Sequence, residues 1–153
     1  MNIFELLKND HEKALNLFDE LEGMQGEPGR IKGGKADAVF DRLKQELEIH
    51  MMGEEEFFYS VLKEEESTRS TILESYEEHH VARLLLGEMA SMQKDEQWMA
   101  KLAVLRESVE HHIEEEEGEL FEDARNVIDE KKAEEIGRRM ADMKKAQMAP
   151  ASR

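Results

Sequence analysis

Two segments place a histidine and a glutamate four residues apart, His50-Met51-Met52-Gly53-Glu54 and His112-Ile113-Glu114-Glu115-Glu116. At 3.6 residues per helical turn each pair projects from one face, an imidazole one turn from a carboxylate. That combination is a metal-ligand pair. Nine residues after each histidine comes an aromatic ring, Tyr59 and Phe121, preceded by a large apolar side chain, Phe58 and Leu120. These neighbours mark the face as inward. A buried glutamate with nothing beside it would be protonated or would cost roughly several kcal/mol, whereas a divalent or trivalent cation reverses the balance. The chemistry on offer is metal binding inside a core.

The elements that must position these pairs are helices. Charged residues make up 38% of the 153-residue chain and only two prolines occur, Pro28 and Pro150, so helix is favoured nearly throughout. No stretch alternates with period two for long enough to form a strand. Helix A is expected from Ile3 to about Glu22, its stripe built by Phe4, Leu7, His11, Ala14, Phe18 and Leu21. Gly23 to Gly34, with five glycines and Pro28, must break it and form a flexible connection. Helix B is expected from about Ala36 to Glu64, with Gly53 inside it at a cost in propensity of about 1 kcal/mol. A glycine there could admit a close neighbour or a ligand.

Ser67-Thr68 offers an N-cap for helix C, which continues to about Met92, and Asp95 offers one for helix D, from about Glu96 to Ile128 with a kink at Gly118. A charged helix follows to about Gln147, with Ile136, Met140 and Met143 on one side, and Met148 to Arg153 should fray. The expected fold is all-α, an up-down-up-down four-helix bundle over residues 1–128 with an additional C-terminal helix and tail over 129–153.

The chain also repeats itself. His11 is followed by Ala14, Leu17, Phe18 and Leu21, and His79 by Ala82, Leu85, Leu86 and Met89, at the same offsets. Helices A-B and C-D are thus two related hairpins. The repeat chooses between adjacent histidines, since neighbours lie about 100° apart around a helix. Aligning on His80 would set Arg83 and Gly87 where Ala14 and Phe18 stand, and aligning on His111 would put Glu119 on the apolar stripe. His79 and His112 are the inward choices. The candidate ligands are therefore His11, His50, Glu54, His79, His112 and Glu116, four nitrogens and two carboxylates converging at one level of the bundle.

Zinc normally takes four ligands, so six groups suit two metals bridged by the two carboxylates, and imidazole with carboxylate suits iron or manganese ahead of zinc. Glu55 and Glu117 read as part of a solvated acidic face, and the ten methionines as core filler. Tyr76, one turn before His79, reads equally as a neighbour of the ligands or as core.

The remaining composition narrows partners. Formal net charge is -16, from 37 acidic against 21 basic residues, without a dense basic patch, so a phosphate backbone or an anionic membrane would be repelled. There is no cysteine, which excludes disulfides, thiolate sites and iron-sulfur clusters. The N-terminus enters an amphipathic pattern at once and no apolar run is long enough to span a bilayer, so a cytoplasmic protein is expected. Self-association or a protein partner stays open.

From Phe4 to Arg125 the sequence resembles the hemerythrin-like, or HHE cation-binding, domain family. The resemblance rests on Asn9-Asp10-His11-Glu12, His50 to Glu56, Glu78-His79-His80 and Val109 to Phe121. It implies a four-helix bundle with a non-haem diiron centre, the carboxylates of the two His-x-x-x-Glu pairs bridging two iron ions. The oxygen-carrying hemerythrins place a further histidine one turn along helix C, where this chain has Arg83 after His79 and Ser75 before it. Binding, sensing or detoxification of oxygen, peroxide or nitric oxide is then expected ahead of reversible oxygen transport. An iron-binding regulator or store without turnover is the alternative. A ferritin-like carboxylate oxidase, which needs paired Glu-x-x-His motifs, finds only Glu77-x-x-His80 here.

Overall fold

Asn2 opens the first helix: its Oδ1 accepts the Glu5 backbone N–H at 2.9 Å, while Glu5 Oε1 accepts the Asn2 N–H at 3.3 Å. Two orphan donors are satisfied reciprocally. The computed structural model describes residues 1–24 and 33–148. Among them are five helices and no strand: α1 (Ile3–Gly23), α2 (33–62), α3 (Glu66–Ala90), α4 (96–127) and α5 (Glu130–Met148). The expected bundle with its extra C-terminal helix is present. Most of the glycine-rich connection, residues 25–32, and the tail, 149–153, lie outside the described residues.

Caps explain the boundaries, one of them differently from expectation. Asp95 caps α4 as anticipated, Oδ1 accepting the N–H groups of Gln97 and Trp98 at 3.1 Å each. Ser67-Thr68 does not cap α3. That helix starts at Glu66 after an extended Glu65, and Thr68 is buried in its first turn. The Thr68 hydroxyl donates to the Leu62 carbonyl at 2.5 Å, and Arg69 Nε to the Lys63 carbonyl at 2.9 Å. Both serve orphan acceptors at the end of α2, so the polar side chains close the preceding helix.

α2 and α4 are each interrupted by a wide π turn, Glu54–Tyr59 and Glu116–Leu120. Each interruption begins at the glutamate of a His-x-x-x-Glu pair; the second contains Gly118, where the sequence suggests a kink, and the first breaks a helix expected to be continuous. A π turn brings successive side chains closer in angle than an α turn does, so two consecutive glutamates can both face the bundle.

The core is split in two. Phe18, Leu21, Phe40, Leu43, Leu86, Met89, Trp98 and Leu102 fill one half. Ile3, Phe4, Leu7, Phe58, Leu62, Ile72 and Phe121 fill the other. Trp98 is fully buried and its Nε1–H donates to the Met89 carbonyl at 3.1 Å, which satisfies its one polar atom. Between the halves lies a layer of buried polar side chains, His11, His50, Glu54, His79 and Glu116.

α5 covers the outside of the first hairpin, with Ala133, Ile136 and Met140 joining the second half of the core. Two glycines let it approach. A Cβ on Gly137 would lie 2.5 Å from the Met1 carbonyl oxygen, 2.7 Å from Asn2 C and 2.8 Å from Ile3 N. A Cβ on Gly53 would meet Met140 and Met143 side chains at 2.8 to 2.9 Å. The neighbour that Gly53 admits is therefore α5.

Gly137→Ala should destabilise the protein by about 1–3 kcal/mol, because the clash is with backbone. Gly53→Ala should stay within about 1 kcal/mol of wild type, since methionine ends repack and alanine is the better helix former. Urea denaturation of both variants checks this; equal losses would contradict it.

Candidate metal centre

All four inward histidines of the repeat point Nε2 into the polar layer, and the repeat chose correctly between neighbours: His80 and His111 are exposed. Glu54 Oε1 lies 3.2 Å from His50 Nε2 and 3.1 Å from His79 Nε2. Glu116 matches it on the other side, Oε1 at 3.2 Å from His11 Nε2 and Oε2 at 3.2 Å from His112 Nε2. Each glutamate thus faces the histidine of its own helix and one from the other hairpin.

The opposite ring nitrogens are all engaged. His50 Nδ1 meets Asp10 at 2.9 Å, His79 Nδ1 meets Glu55 at 2.7 Å, and His112 Nδ1 and His11 Nδ1 meet Glu78 and Glu117 at 2.6 Å each. A carboxylate only accepts, so each Nδ1 carries a proton, and whenever the imidazole is neutral its Nε2 is the lone pair directed inward. The contacts run in a circle: α1 orients a histidine of α2, α2 one of α3, α3 one of α4, and α4 one of α1.

This corrects the reading of Glu55 and Glu117 as a solvated acidic face. Both are partly buried and hold histidines, and the π turns carry them inward behind Glu54 and Glu116. Asp10 and Glu78 escaped the sequence reading as well. A signal existed, since the repeat sets an acid before His11 and His79 and a second acid after Glu54 and Glu116.

The residues suit a cation on a direct test. His11 Nε2, His50 Nε2, both oxygens of Glu54 and Glu116 Oε1 are buried without a hydrogen-bond partner. Nitrogen lone pairs and carboxylate oxygens facing one another are acceptors against acceptors, which is costly unless positive charge lies between them. Ligand atoms of His11, His50, Glu54 and Glu116 fall within 4.8 Å of one another, as do those of Glu54, His79 and His112. Two cation positions sharing Glu54 fit this arrangement.

The pKa directions of the side chains follow the same field. Burial pushes the His50 imidazole down, yet Glu54 and Asp10 raise it to about 10. Burial likewise opposes, and Glu54 and Glu55 overcome it, at His79, while Glu116 and Glu78 hold His112 well above its ordinary value. Burial pushes Glu116 up, but Glu54, His112 and His11 hold it well below the usual carboxylate range.

Tyr59 is the second surprise. From the sequence its position marks only the inward face, and at the matching place the repeat has Phe121. The Tyr59 hydroxyl donates to Glu116 Oε2 at 2.5 Å and stands 3.1 and 3.4 Å from Nε2 of His112 and His79. Its ring stacks on His79 with centroids 5.3 Å apart, and Tyr76 packs edge-on against it at 5.7 Å. Ser75 is buried and donates to the Thr71 carbonyl at 3.0 Å, while Arg83 turns outward to Glu55 at 2.9 Å. The positions flanking His79 thus add no ligand, and a tyrosine hydroxyl reaches that side of the site.

On the opposite side a cavity of about 30 Å³ lies against the four histidines, walled by Ala14, Leu47, Ala82 and Val109. Ala14 and Ala82 are the repeat's matched small residues, and their size leaves the space.

The metal-free protein should show the signs of these shifts. The histidine contribution, with folded values raised above 6.5, is complete below that pH and is lost as pH rises towards about 10 at His50. The lowered Asp10, Glu55, Glu78 and Glu116 contribute above their ordinary range and lose that contribution as pH falls. Melting temperatures of metal-free protein should therefore be highest near pH 5–7, as set by these ordinary values. A flat profile from pH 7 to 10 would contradict the assignment.

Comparison with known proteins accords with this geometry. A hemerythrin HHE cation-binding domain-containing protein from Mycobacterium kansasii has a similar structure, with a TM-score of 0.80 at 22% identity over 96% of this chain and 87% of that one. At that identity the likeness is one of fold. The curated proteins give no significant match. The Hemerythrin HHE cation binding domain matches residues 2–124, well over half of the sequence. The chain belongs to the hemerythrin HHE cation-binding domain family.

Proposed function

We propose that the bundle, residues 1–128, holds two iron ions and uses them to bind, sense or detoxify a small ligand such as oxygen, peroxide or nitric oxide. His11, His50, His79 and His112 are the terminal ligands, and Glu54 and Glu116 the carboxylates between them. One observation carries the reading: five buried acceptor atoms without partners converge among imidazoles whose outer nitrogens are already tied. Nitrogen and carboxylate donors without sulfur favour iron or manganese over a closed zinc site.

A non-haem iron pair supplies a redox-active, Lewis-acidic centre for such ligands. The chain's own residues supply the rest. The four Nδ1 hydrogen bonds hold the rings in one tautomer and one orientation. The two positions differ in their surroundings, because the Tyr59 hydroxyl stands at the Nε2 atoms of one histidine pair, His79 and His112. Tyr59, beside that pair, holds a proton at Oη within reach of anything bound there. Ala14 and Ala82 leave room for a small guest beside the four histidines.

Elemental analysis of protein produced with iron, manganese and zinc supplied together should return two irons per chain. His79→Ala should lower that content and His80→Ala should not; the reverse result would overturn the register. Reversible metal exchange with no uptake of oxygen, peroxide or nitric oxide would favour a regulator or store. Tyr59→Phe should keep both metals, yet lower metal-free stability by about 1–3 kcal/mol, as a buried carboxylate oxygen loses its donor. Thermal unfolding of that variant measures the loss.

A further inference from the structure

The family match ends at residue 124, and the helix beyond it reaches into the site. Lys144 on α5 donates from Nζ to Asp10 Oδ1. Asp10 is buried, and its other oxygen accepts from His50 Nδ1 at 2.9 Å. With Oδ1 held by an ammonium, the carboxylate cannot swing, and Oδ2 stays on the imidazole. The Lys144 side chain is only 13% exposed, so this is not a loose surface ion pair.

Two features make the contact a built one. Gly137 seats α5 against the Met1–Ile3 backbone, and Met140 and Met143 lie over Gly53, the residue before Glu54, so the helix has little freedom to slide. Glu55, another of the four carboxylates that hold a histidine, is also held by a cation, but by Arg83 of the bundle itself. Asp10 draws its cation from α5.

We infer that Lys144 is a positioning residue for one of the two metal positions, acting through Asp10 to hold His50 Nε2 on the cation that His11, His50, Glu54 and Glu116 share. α5 is then a working part of the centre as well as a cover for the bundle. The inference rests on the two-iron reading.

The test loads wild type, Lys144→Met, Lys144→Arg and the exposed-neighbour control Lys145→Met with ferrous iron in the absence of oxygen, then follows release to excess chelator. Wild type and Lys145→Met should hold two irons and release them alike. Lys144→Met should release one iron about 10–100-fold faster, the usual effect of an altered outer partner, and the other at the wild-type rate. Lys144→Arg should move the fast phase back towards wild type. Fewer than two irons in wild type would overturn both readings. Two irons with unchanged release in Lys144→Met would overturn this one alone, and so would equal acceleration of both irons together with a lower metal-free melting temperature. Should Lys144→Met fail to fold, Asp10→Asn carries the same expectation of one selectively weakened iron, and unchanged release from it overturns the inference.

Discussion

Facing acceptors in a dry layer are the constraint on which this structure depends. Four imidazoles and two carboxylates, five of their atoms without a partner, are enclosed between apolar halves of a core, where unpaired polar atoms are costly. Positive charge must lie among them. In the metal-free chain protons meet that need, which is why His50, His79 and His112 are raised and Glu116 is lowered. In a family of cation binders a bound cation can meet it instead. Fold and metal are linked in this way, since any ion that binds only the folded layer stabilises it.

The layer is kept in order by a circle of carboxylates. Asp10, Glu55, Glu78 and Glu117 each reach from one helix to a histidine on the next, so the four helices cannot shift independently without releasing a ring. The π turns make this feasible, because they let Glu54 with Glu55, and Glu116 with Glu117, serve inner and outer roles from adjacent positions. Symmetry is broken in two places. Tyr59 brings a hydroxyl where Phe121 has none, and Lys144 brings an ammonium from outside the repeat. The two repeated histidine-glutamate groups thereby become unequal in their surroundings.

The helical class, the two hairpins and the inward histidines were all legible in the sequence. Periodicity reports burial, and burial on a helix is local: Leu7, His11, Phe18 and Leu21 share a face by geometry alone. The choice of His79 over His80 followed for the same reason. Caps were less legible. Asp95 worked as read, but Thr68 was drawn away by the open carbonyls of α2, a demand that arises only when the preceding helix ends nearby.

Tertiary structure alone decided the rest. Glu55, Glu117, Asp10 and Glu78 look like any charged face in a chain with 37 acidic residues, and a partner on another helix distinguishes them. Tyr59 needed the approach of Glu116 from α4, and Lys144 the docking of α5 through Gly137. Spacing along one helix determines which way a side chain points. What it meets there depends on how separate helices pack, and that is long-range information that a periodic pattern does not contain.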